Sequence, residues 1–134
     1  MKTLLKNFIT CGIVGWIMEI SFTAMDSLKK RDLSLKGTTS IWMFPIYGMA
    51  SILTYLYYPL KTKCIAFRGT IYMLCIFFAE FFTGKLLCKH HLCPWDYSRS
   101  RWNISKVIRL DYIPYWFAAG LIFERIVCHR KSAK

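Results

Sequence analysis

Hydrophobic residues fill four long stretches of the chain, and charged residues are concentrated in the short connections between them. Each stretch is close to the ~20 residues that a helix needs to cross a hydrocarbon core ~30 Å thick. The pattern therefore predicts four membrane-spanning helices. They cover residues 8–25, 41–60, 69–87 and 112–128.

Aromatic residues stand near the ends of these stretches, among them Trp42, Tyr57, Tyr58, Tyr115 and Trp116. Trp and Tyr are typical of the membrane boundary, and short connections favour antiparallel packing of neighbouring helices. The predicted fold is an all-α, polytopic membrane protein of the cell membrane. It is a four-helix bundle in one domain over residues 1–134, with a motif-bearing interfacial loop between the third and fourth helices.

Composition supports a membrane protein over a soluble or nucleic-acid-binding domain. Of 134 residues, 55% are hydrophobic and 17% are aromatic, which exceeds the range of a soluble domain with a polar surface. The net charge of +12 comes from short clusters beside the apolar runs, so anionic lipid headgroups are the expected partners rather than nucleic acid. Lysines before an apolar run, such as Lys2 and Lys6, are also typical of signal peptides. Glu19 inside that run favours a retained helix instead.

Four spans place both chain termini on one side of the membrane, here the terminal side. The loops at residues 26–40 and 88–111 then share the opposite face, here the motif side. Of the 19 Lys and Arg residues, nine lie toward the terminal side and ten toward the motif side, so the positive-inside rule selects no orientation. A near tie is typical of a dual-topology antiparallel homodimer, and equally of a fixed orientation with two basic loops.

Glutamates inside the predicted spans require an explanation, because an ionised side chain at mid-helix costs ~2.5 to 3.5 kcal/mol on insertion scales. Glu19 and Glu80 are each the twelfth residue of a span that runs toward the motif side, so we expect them at one depth. Tyr47, between Pro45 and Gly48 near the start of the second span, reaches the same depth. These residues predict a polar site in the bilayer. The alternative is that each glutamate forms only an interhelical hydrogen bond or a structural ion pair.

Glu124 differs from the other two glutamates, because it lies toward the terminal side and next to Arg125. We attribute it to local pairing or to a side chain that reaches the membrane surface.

The loop at residues 88–111 alternates basic and aromatic side chains, which suits a membrane interface. We expect residues 100–110 to form a short interfacial helix whose arginines bind phosphate groups. A solvated anchor without a ligand is the alternative for the basic residues. Asp96, between Trp95 and Tyr97, is a lone carboxylate that we expect the neighbouring bases to position.

Four residues of this loop, Cys88, His90, His91 and Cys93, lie too close together to reach one ion easily, so no metal and no cofactor are expected. Cys88 and Cys93 would form a disulfide on an oxidising side of the membrane and remain thiols on a reducing side. The chain has no P-loop, no Gly-x-Ser-x-Gly elbow and no dinucleotide fingerprint, so it is not itself the ATPase of a pump.

Several short motifs resemble the CmpB-like family of ABC-transporter type IV membrane proteins. They are Gly15-Trp16-x-x-Glu19, Pro45-Ile46-Tyr47-Gly48, Glu80 with Gly84, and Trp95-Asp96-Tyr97-Ser98 followed by Asn103. The chain departs from the family at residues 36–40, which lack its Asn-Arg-Gly and Gly-Pro pattern, and at Lys106, near which a glycine is usual. The resemblance implies a multi-pass, transporter-like protein and supplies no substrate.

The first functional hypothesis is that the protein binds or transports an anionic or amphiphilic ligand at the membrane boundary, as a homodimer or other homo-oligomer. The expected ligand-binding residues are Glu19, Tyr47, Glu80, Trp95, Asp96, Tyr97, Arg99, Arg101 and Asn103. A membrane-embedded enzyme acting on a lipid or polyprenyl substrate, with Glu80 or Asp96 as general base, is a second hypothesis. An accessory subunit of a larger transporter is a third.

Overall fold

The computed structural model describes residues 1–93, 95–96 and 98–132 of the chain, so the predicted site residue Tyr97 lies outside the described part. The described residues are mostly helical. The helices are Lys2–Lys29 (α1), Met43–Gly48 (α2), Leu53–Leu60 (α3), Ile65–Lys89 (α4) and Ile113–Ser132 (α5). Short 3₁₀ segments occupy Met49–Ile52 and Leu110–Tyr112, and two strands, Asn103–Ile104 (β1) and Ile108–Arg109 (β2), form a hairpin.

Helices α1 and α4 contain the first and third predicted spans. Both are long and apolar enough to cross a membrane, and only 17% of each apolar stretch is buried within the described structure. Each helix exposes large apolar side chains at every fourth residue, which places them on one face. These are Leu5, Ile9, Ile13 and Ile17 on α1, and Leu74, Phe78, Phe82 and Leu86 on α4. Such exposed stripes are far more stable against hydrocarbon than against water.

The sequence suggested one continuous helix over residues 41–60 for the second span, but the structure interrupts this helix. The helix begins at Met43, and the 3₁₀ segment Met49–Ile52 separates α2 from α3. Pro45 lies in the first turn of α2, where its missing N–H costs little, so the proline is not the point of interruption. The interruption follows Gly48, which has a low helix propensity and packs closely: a Cβ there would lie 2.7 Å from the Phe8 ring.

Helix α5 covers the fourth predicted span. It is a helix of 20 residues. It contains Glu124 and Arg125. Among the described helices, only α1 and α4 are long and apolar enough to cross a membrane. That α5 crosses the membrane stays a prediction.

The chain packs as two compact units, Met1–Ser51 and Ile52–Lys134. The first unit contains α1 and α2. The second contains α3, α4, the hairpin and α5. The prediction of one domain over residues 1–134 stays a prediction.

In the first unit, α1 and α2 approach closely at two glycines of α1. A Cβ on Gly12 would lie 2.8 Å from the Phe44 ring, and a Cβ on Gly15 would overlap the Tyr47 ring. Cys11, next to Gly12, is fully buried. Gly12 and Gly15 are therefore close-packing positions between α1 and α2.

Residues 36–40 lead into α2 as an extended segment that runs back along α1. Side chains of α1 bind its backbone at three successive points, and Gly37 allows the approach because a Cβ there would lie 2.8 Å from the Ile20 carbonyl oxygen. The hydrogen bonds join Ser27 to Lys36 (3.0 Å), Thr23 to Thr38 (2.8 and 3.1 Å) and Trp16 to Ser40 (3.1 Å). This segment determines where α2 begins relative to α1.

In the second unit, α4 and α5 pack through two glycines. A Cβ on Gly120 would lie 2.6 Å from Tyr72 Cβ, and Gly69 lies against the Phe117 ring. Tyr72 is fully buried, and Phe123 is 2% exposed. Gly120 is therefore a close-packing position between α4 and α5.

The predicted interfacial helix at residues 100–110 is wrong, because β1 and β2 pair there as an antiparallel hairpin. Ser105 and Lys106 have φ values of 53° and 63°, which the turn requires and a right-handed helix excludes. Asn103 donates its side-chain amide to the Ser100 carbonyl and accepts a hydrogen bond from the Lys106 amide at 3.2 Å. These local hydrogen bonds compete with helix formation, and the β-branched Ile104, Val107 and Ile108 favour strands.

Candidate functional site

The first unit holds a hydrogen bond between Glu19 and Tyr47. The Tyr47 hydroxyl donates to Glu19 Oε2 at 2.7 Å. Tyr47 is 6% exposed and Glu19 is half-buried. Gly15, one turn before Glu19 on α1, lets the Tyr47 ring lie directly over the helix, and the hydroxyl then reaches the carboxylate. The structure thus brings together the two sequence motifs Gly15-Trp16-x-x-Glu19 and Pro45-Ile46-Tyr47-Gly48.

Trp16 supports this arrangement from the side. Its indole N–H donates to the Ser40 carbonyl at 3.1 Å, and its ring lies 5.0 Å from the Phe44 ring, centroid to centroid. Trp16 therefore anchors both the segment that enters α2 and the first turn of α2 itself. Within residues 1–93, 95–96 and 98–132, Glu19 takes part in no ion pair. The hydrogen-bond donor to Glu19 is a neutral phenol, so a change of protonation at Glu19 does not leave an opposite charge unpaired.

In the second unit, Trp95 of the loop that follows α4 packs against this helix, one helical turn beyond Glu80. Glu80 is 8% exposed, and Gly84 follows it on the same helical face. A Cβ on Gly84 would lie 2.9 Å from Val107 Cβ and 3.2 Å from Trp95 Cζ2. The Trp95 indole N–H donates to the Val107 carbonyl at 3.0 Å. Gly84 is therefore the position on α4 that receives both the loop and the hairpin.

Asp96 is positioned mainly by Ser98, and only secondarily by the bases that the sequence suggested. Its two carboxylate oxygens accept hydrogen bonds from the Ser98 amide and hydroxyl, both at 2.9 Å. These two hydrogen bonds hold the pKa of the Asp96 carboxyl below its usual range, with smaller contributions from Lys106 and Arg99. Asn103 likewise uses its amide inside the hairpin turn.

Asp32 and Ser34, in the loop that follows α1, form hydrogen bonds between the same groups, although a single carboxylate oxygen accepts both. Asp32 Oδ1 accepts from the Ser34 amide at 3.0 Å and from its hydroxyl at 2.6 Å. The Ser34 hydroxyl and amide lower the pKa of the Asp32 carboxyl as well. In both loops, therefore, a serine two residues after an aspartate donates its amide and its hydroxyl to that aspartate.

The arginines of the loop at residues 88–111 differ in their partners. Arg109 forms a bidentate pair with Asp111, with N–O distances of 2.8 and 2.7 Å, and its guanidinium lies 4.6 Å from the Tyr112 ring centroid. Arg99 and Arg101 are exposed. Trp102 and Ile104 beside them are 63% and 45% exposed. Arg99 and Arg101 are thus the arginines of this loop that present their guanidinium groups outward.

A family model described as "Putative ABC-transporter type IV" matches residues 6–133, nearly the whole chain. The chain belongs to this family. The resemblance inferred from the short motifs is confirmed. No solved structure matches the chain. A transporter-like membrane role agrees with the family and with the apolar helices α1 and α4.

In this member of the ABC-transporter type IV family, sequence reasoning missed the ion pair between Arg68 and Glu124. Arg68 Nε and Nη2 donate to the two carboxylate oxygens of Glu124 at 3.0 and 2.9 Å. The side chains are 19% and 9% exposed. Arg125, the partner proposed for Glu124, is exposed instead. The pair was detectable in principle, because Arg68 precedes the third span and Glu124 lies late in the fourth, both toward the terminal side.

The predicted site residues are distributed over both units. Glu19 and Tyr47 belong to the first, and Glu80, Trp95, Asp96, Arg99, Arg101 and Asn103 belong to the second. The common depth expected for Glu19 and Glu80 stays a prediction. Within the part of the chain that the structure describes, no group of three or more His, Cys, Asp or Glu side chains could hold a metal ion.

Proposed function

We propose that this protein is a multi-pass protein of the cell membrane that binds and transports an anionic or amphiphilic ligand at the membrane boundary. The observation that carries the proposal is the hydrogen bond of 2.7 Å between Tyr47 and Glu19, a carboxylate on the apolar helix α1. An acid in such a helix is costly, so it is retained where it has a function.

The neutral partner of Glu19 supports a proton-linked role. When Glu19 is a carboxylate, it accepts a hydrogen bond from the Tyr47 hydroxyl. When Glu19 is protonated, it can still form a hydrogen bond with the same hydroxyl. The pair therefore persists while its net charge changes by one. Glu19 can therefore exchange a proton as the ligand binds or leaves, which a glutamine in its place cannot do.

The exposed face of the second unit supports an anionic or amphiphilic ligand. Arg99 and Arg101 offer planar guanidinium groups, which bind phosphate or carboxylate with two parallel hydrogen bonds. Trp102 and Ile104 add exposed apolar surface next to them. A ligand with an anionic head and an apolar tail matches this combination of side chains.

The enzyme hypothesis receives less support from the geometry. Both carboxylate oxygens of Asp96 accept hydrogen bonds from Ser98, and a lowered pKa makes Asp96 a weaker general base. Glu80 is then the acid on which that hypothesis depends. Incubation of the protein with membrane lipids, followed by mass analysis, distinguishes the two functions, because an enzyme changes the mass of its substrate and a carrier does not.

The test of the proposal is native mass spectrometry of the protein released from its own membrane. Wild type is compared with Glu19→Gln, Tyr47→Phe and Glu80→Gln variants. Asp26→Asn is the matched control, because Asp26 is an exposed acid of the same helix, paired with Lys30 at 2.8 Å. We expect a defined extra mass on wild type and on the control, and its loss from the Glu19→Gln variant.

Two outcomes would contradict the proposal. An extra mass that survives in a Glu19→Gln/Glu80→Gln double variant would place the ligand away from both glutamates. The lack of any bound mass in every sample would favour an accessory subunit that acts only with a larger transporter partner.

A further inference from the structure

Helix α4 ends in a chain reversal that returns Cys93 toward Cys88. The Leu92 amide donates to the Leu87 carbonyl at 2.8 Å, and the His91 amide donates to the Cys88 carbonyl at 3.1 Å. These are the two hydrogen bonds of a Schellman motif, and His91 adopts the left-handed conformation that the motif requires, with φ at 57°. The five-residue separation in sequence therefore becomes proximity in space.

Both cysteines are thiols in this structure, and their surroundings differ. Cys88 is exposed, and Cys93 is half-buried. The Cys93 thiol donates to the Trp95 carbonyl at 3.0 Å. Burial raises the pKa of the Cys93 thiol to about 11. The hydrogen bond between Cys93 and the Cys88 thiol acts in the same direction, and the hydrogen bond to the Trp95 carbonyl acts in the opposite direction. Asp96 and Cys88 are the ionisable groups that face Cys93, and their charges raise the pKa further.

We propose that Cys88 and Cys93 form a reversible thiol–disulfide site that controls the attachment of Trp95 to α4. The exposed Cys88 is the thiol that reacts first, and the sheltered Cys93 is the resolving thiol. A small-molecule disulfide such as oxidised glutathione is the oxidant.

The reaction is two successive thiol–disulfide exchanges. The Cys88 thiolate attacks one sulfur of the oxidant, the oxidant's S–S bond breaks, and one thiolate leaves. Cys93 then loses its proton to solvent and attacks the Cys88 sulfur, which expels the second thiolate. Two protein thiols are oxidised to one disulfide, and one small-molecule disulfide is reduced to two thiols.

Oxidation removes the hydrogen that Cys93 donates to the Trp95 carbonyl. Trp95 is the residue that joins this loop to Gly84 on α4 and, through its indole N–H, to the Val107 carbonyl. The disulfide therefore removes one of the hydrogen bonds that hold Trp95, and it adds a covalent bond between Cys88 and Cys93. We expect the surroundings of the Trp95 ring to change on oxidation.

The experiment uses the full, unmutated chain in detergent, treated with oxidised glutathione and analysed by intact mass and by alkylation of the remaining thiols. The exposed Cys64 is an internal control, because it is accessible without the Schellman geometry. We expect Cys64 to stop at the glutathione adduct. Cys88 should lose its adduct and become linked to Cys93, with a mass lower than that of the reduced peptide by two hydrogen atoms.

The rate of this second exchange provides an independent readout. Because the thiolate of Cys93 is the attacking group and burial raises its pKa, the closure rate should rise about tenfold per pH unit until that pKa is reached. A Cys93→Ser variant should keep the glutathione adduct on Cys88. In wild type the tryptophan fluorescence should change on closure, and a Trp95→Phe variant should lack that change.

A stable glutathione adduct on Cys88, like the one on Cys64, would overturn the proposal. A disulfide that forms without any change in Trp95 fluorescence would overturn its control over the loop. Both measurements are independent of ligand binding at Glu19, so they stand or fail separately from the proposed function.

Discussion

The two units each contain a glutamate that meets a side chain from a neighbouring helix, and the two partners differ in charge. In the first unit, Glu19 of α1 accepts a hydrogen bond from the neutral Tyr47 of α2. In the second, Glu124 of α5 binds the Arg68 guanidinium of α4 through both oxygens. The same residue type therefore occupies two electrostatic environments in one small chain.

The two pairs differ in what the loss of one partner would leave behind. In the bidentate pair, removal of either side chain would leave the opposite charge poorly solvated. The Glu19 pair contains one carboxyl group and one phenol, so a change of charge at Glu19 leaves no opposite charge behind. We therefore expect the Arg68–Glu124 pair to stabilise the fold, and the proposed proton exchange depends on the Glu19–Tyr47 pair.

The largest expected effect comes from breaking the ion pair on one side. Replacement of Glu124 by Gln leaves the Arg68 guanidinium without its counter-charge and should lower the free energy of unfolding by about 3 to 5 kcal/mol. Titration with a denaturing detergent, followed by circular dichroism, measures it. Arg125→Gln is the control, because Arg125 is exposed and should change stability by less than about 0.5 kcal/mol. Equal losses in the two variants would remove the structural role of the pair.

The next effect concerns the glycine that brings Tyr47 to Glu19. A Gly15→Ala substitution at an unconstrained helical site would stabilise α1 by about 1 kcal/mol. Here the added Cβ overlaps the Tyr47 ring, so we expect a loss of about 2 to 3 kcal/mol instead. Ser21→Ala, at an exposed position of the same helix, is the comparison variant in thermal unfolding. A higher melting temperature for Gly15→Ala would show that α1 and α2 do not pack at this point.

A smaller effect is expected when the hydrogen bond alone is removed. Tyr47→Phe keeps the ring on Gly15 and deletes the hydroxyl that donates to Glu19, so stability should fall by about 1.5 kcal/mol. Ligand binding should weaken in the same variant. Tyr55→Phe, in which the exposed ring loses its hydroxyl, should behave as wild type in both assays. If Tyr47→Phe matches Tyr55→Phe, the Tyr47 hydroxyl has no role.

The smallest effect on stability, and the sharpest contrast with Glu124, is expected for Glu19→Gln. The amide oxygen of Gln still accepts the Tyr47 hydroxyl, and the charge in the apolar helix is gone, so the change should stay within about 0.5 kcal/mol. Binding should nevertheless be lost, as the native mass measurement would show. A Glu19→Gln variant that is as unstable as Glu124→Gln would mean that both glutamates are structural.

Much of the candidate site could be predicted from the sequence, because its residues are unusual for their surroundings. Glu19 and Glu80 stand out inside apolar runs, and the position of Tyr47 near the start of the second span led us to expect it at the depth of Glu19. The partner of Glu124 could not be assigned from the sequence. Arg125 is adjacent in sequence, and only the packing of α4 on α5 shows that Arg68 is the side chain within reach.

The amino-acid sequence by itself determined the membrane-compatible helices α1 and α4, since an apolar run of this length has few other stable conformations in any solvent. It also determined the family, through motifs that extend along most of the chain. Only the tertiary structure decided the interrupted helix after Gly48, the hairpin at residues 103–109 and the partners of the glutamates. Each of these depends on contacts between residues far apart in sequence or on local hydrogen bonds of comparable strength to a helix turn, and periodicity carries no information about either.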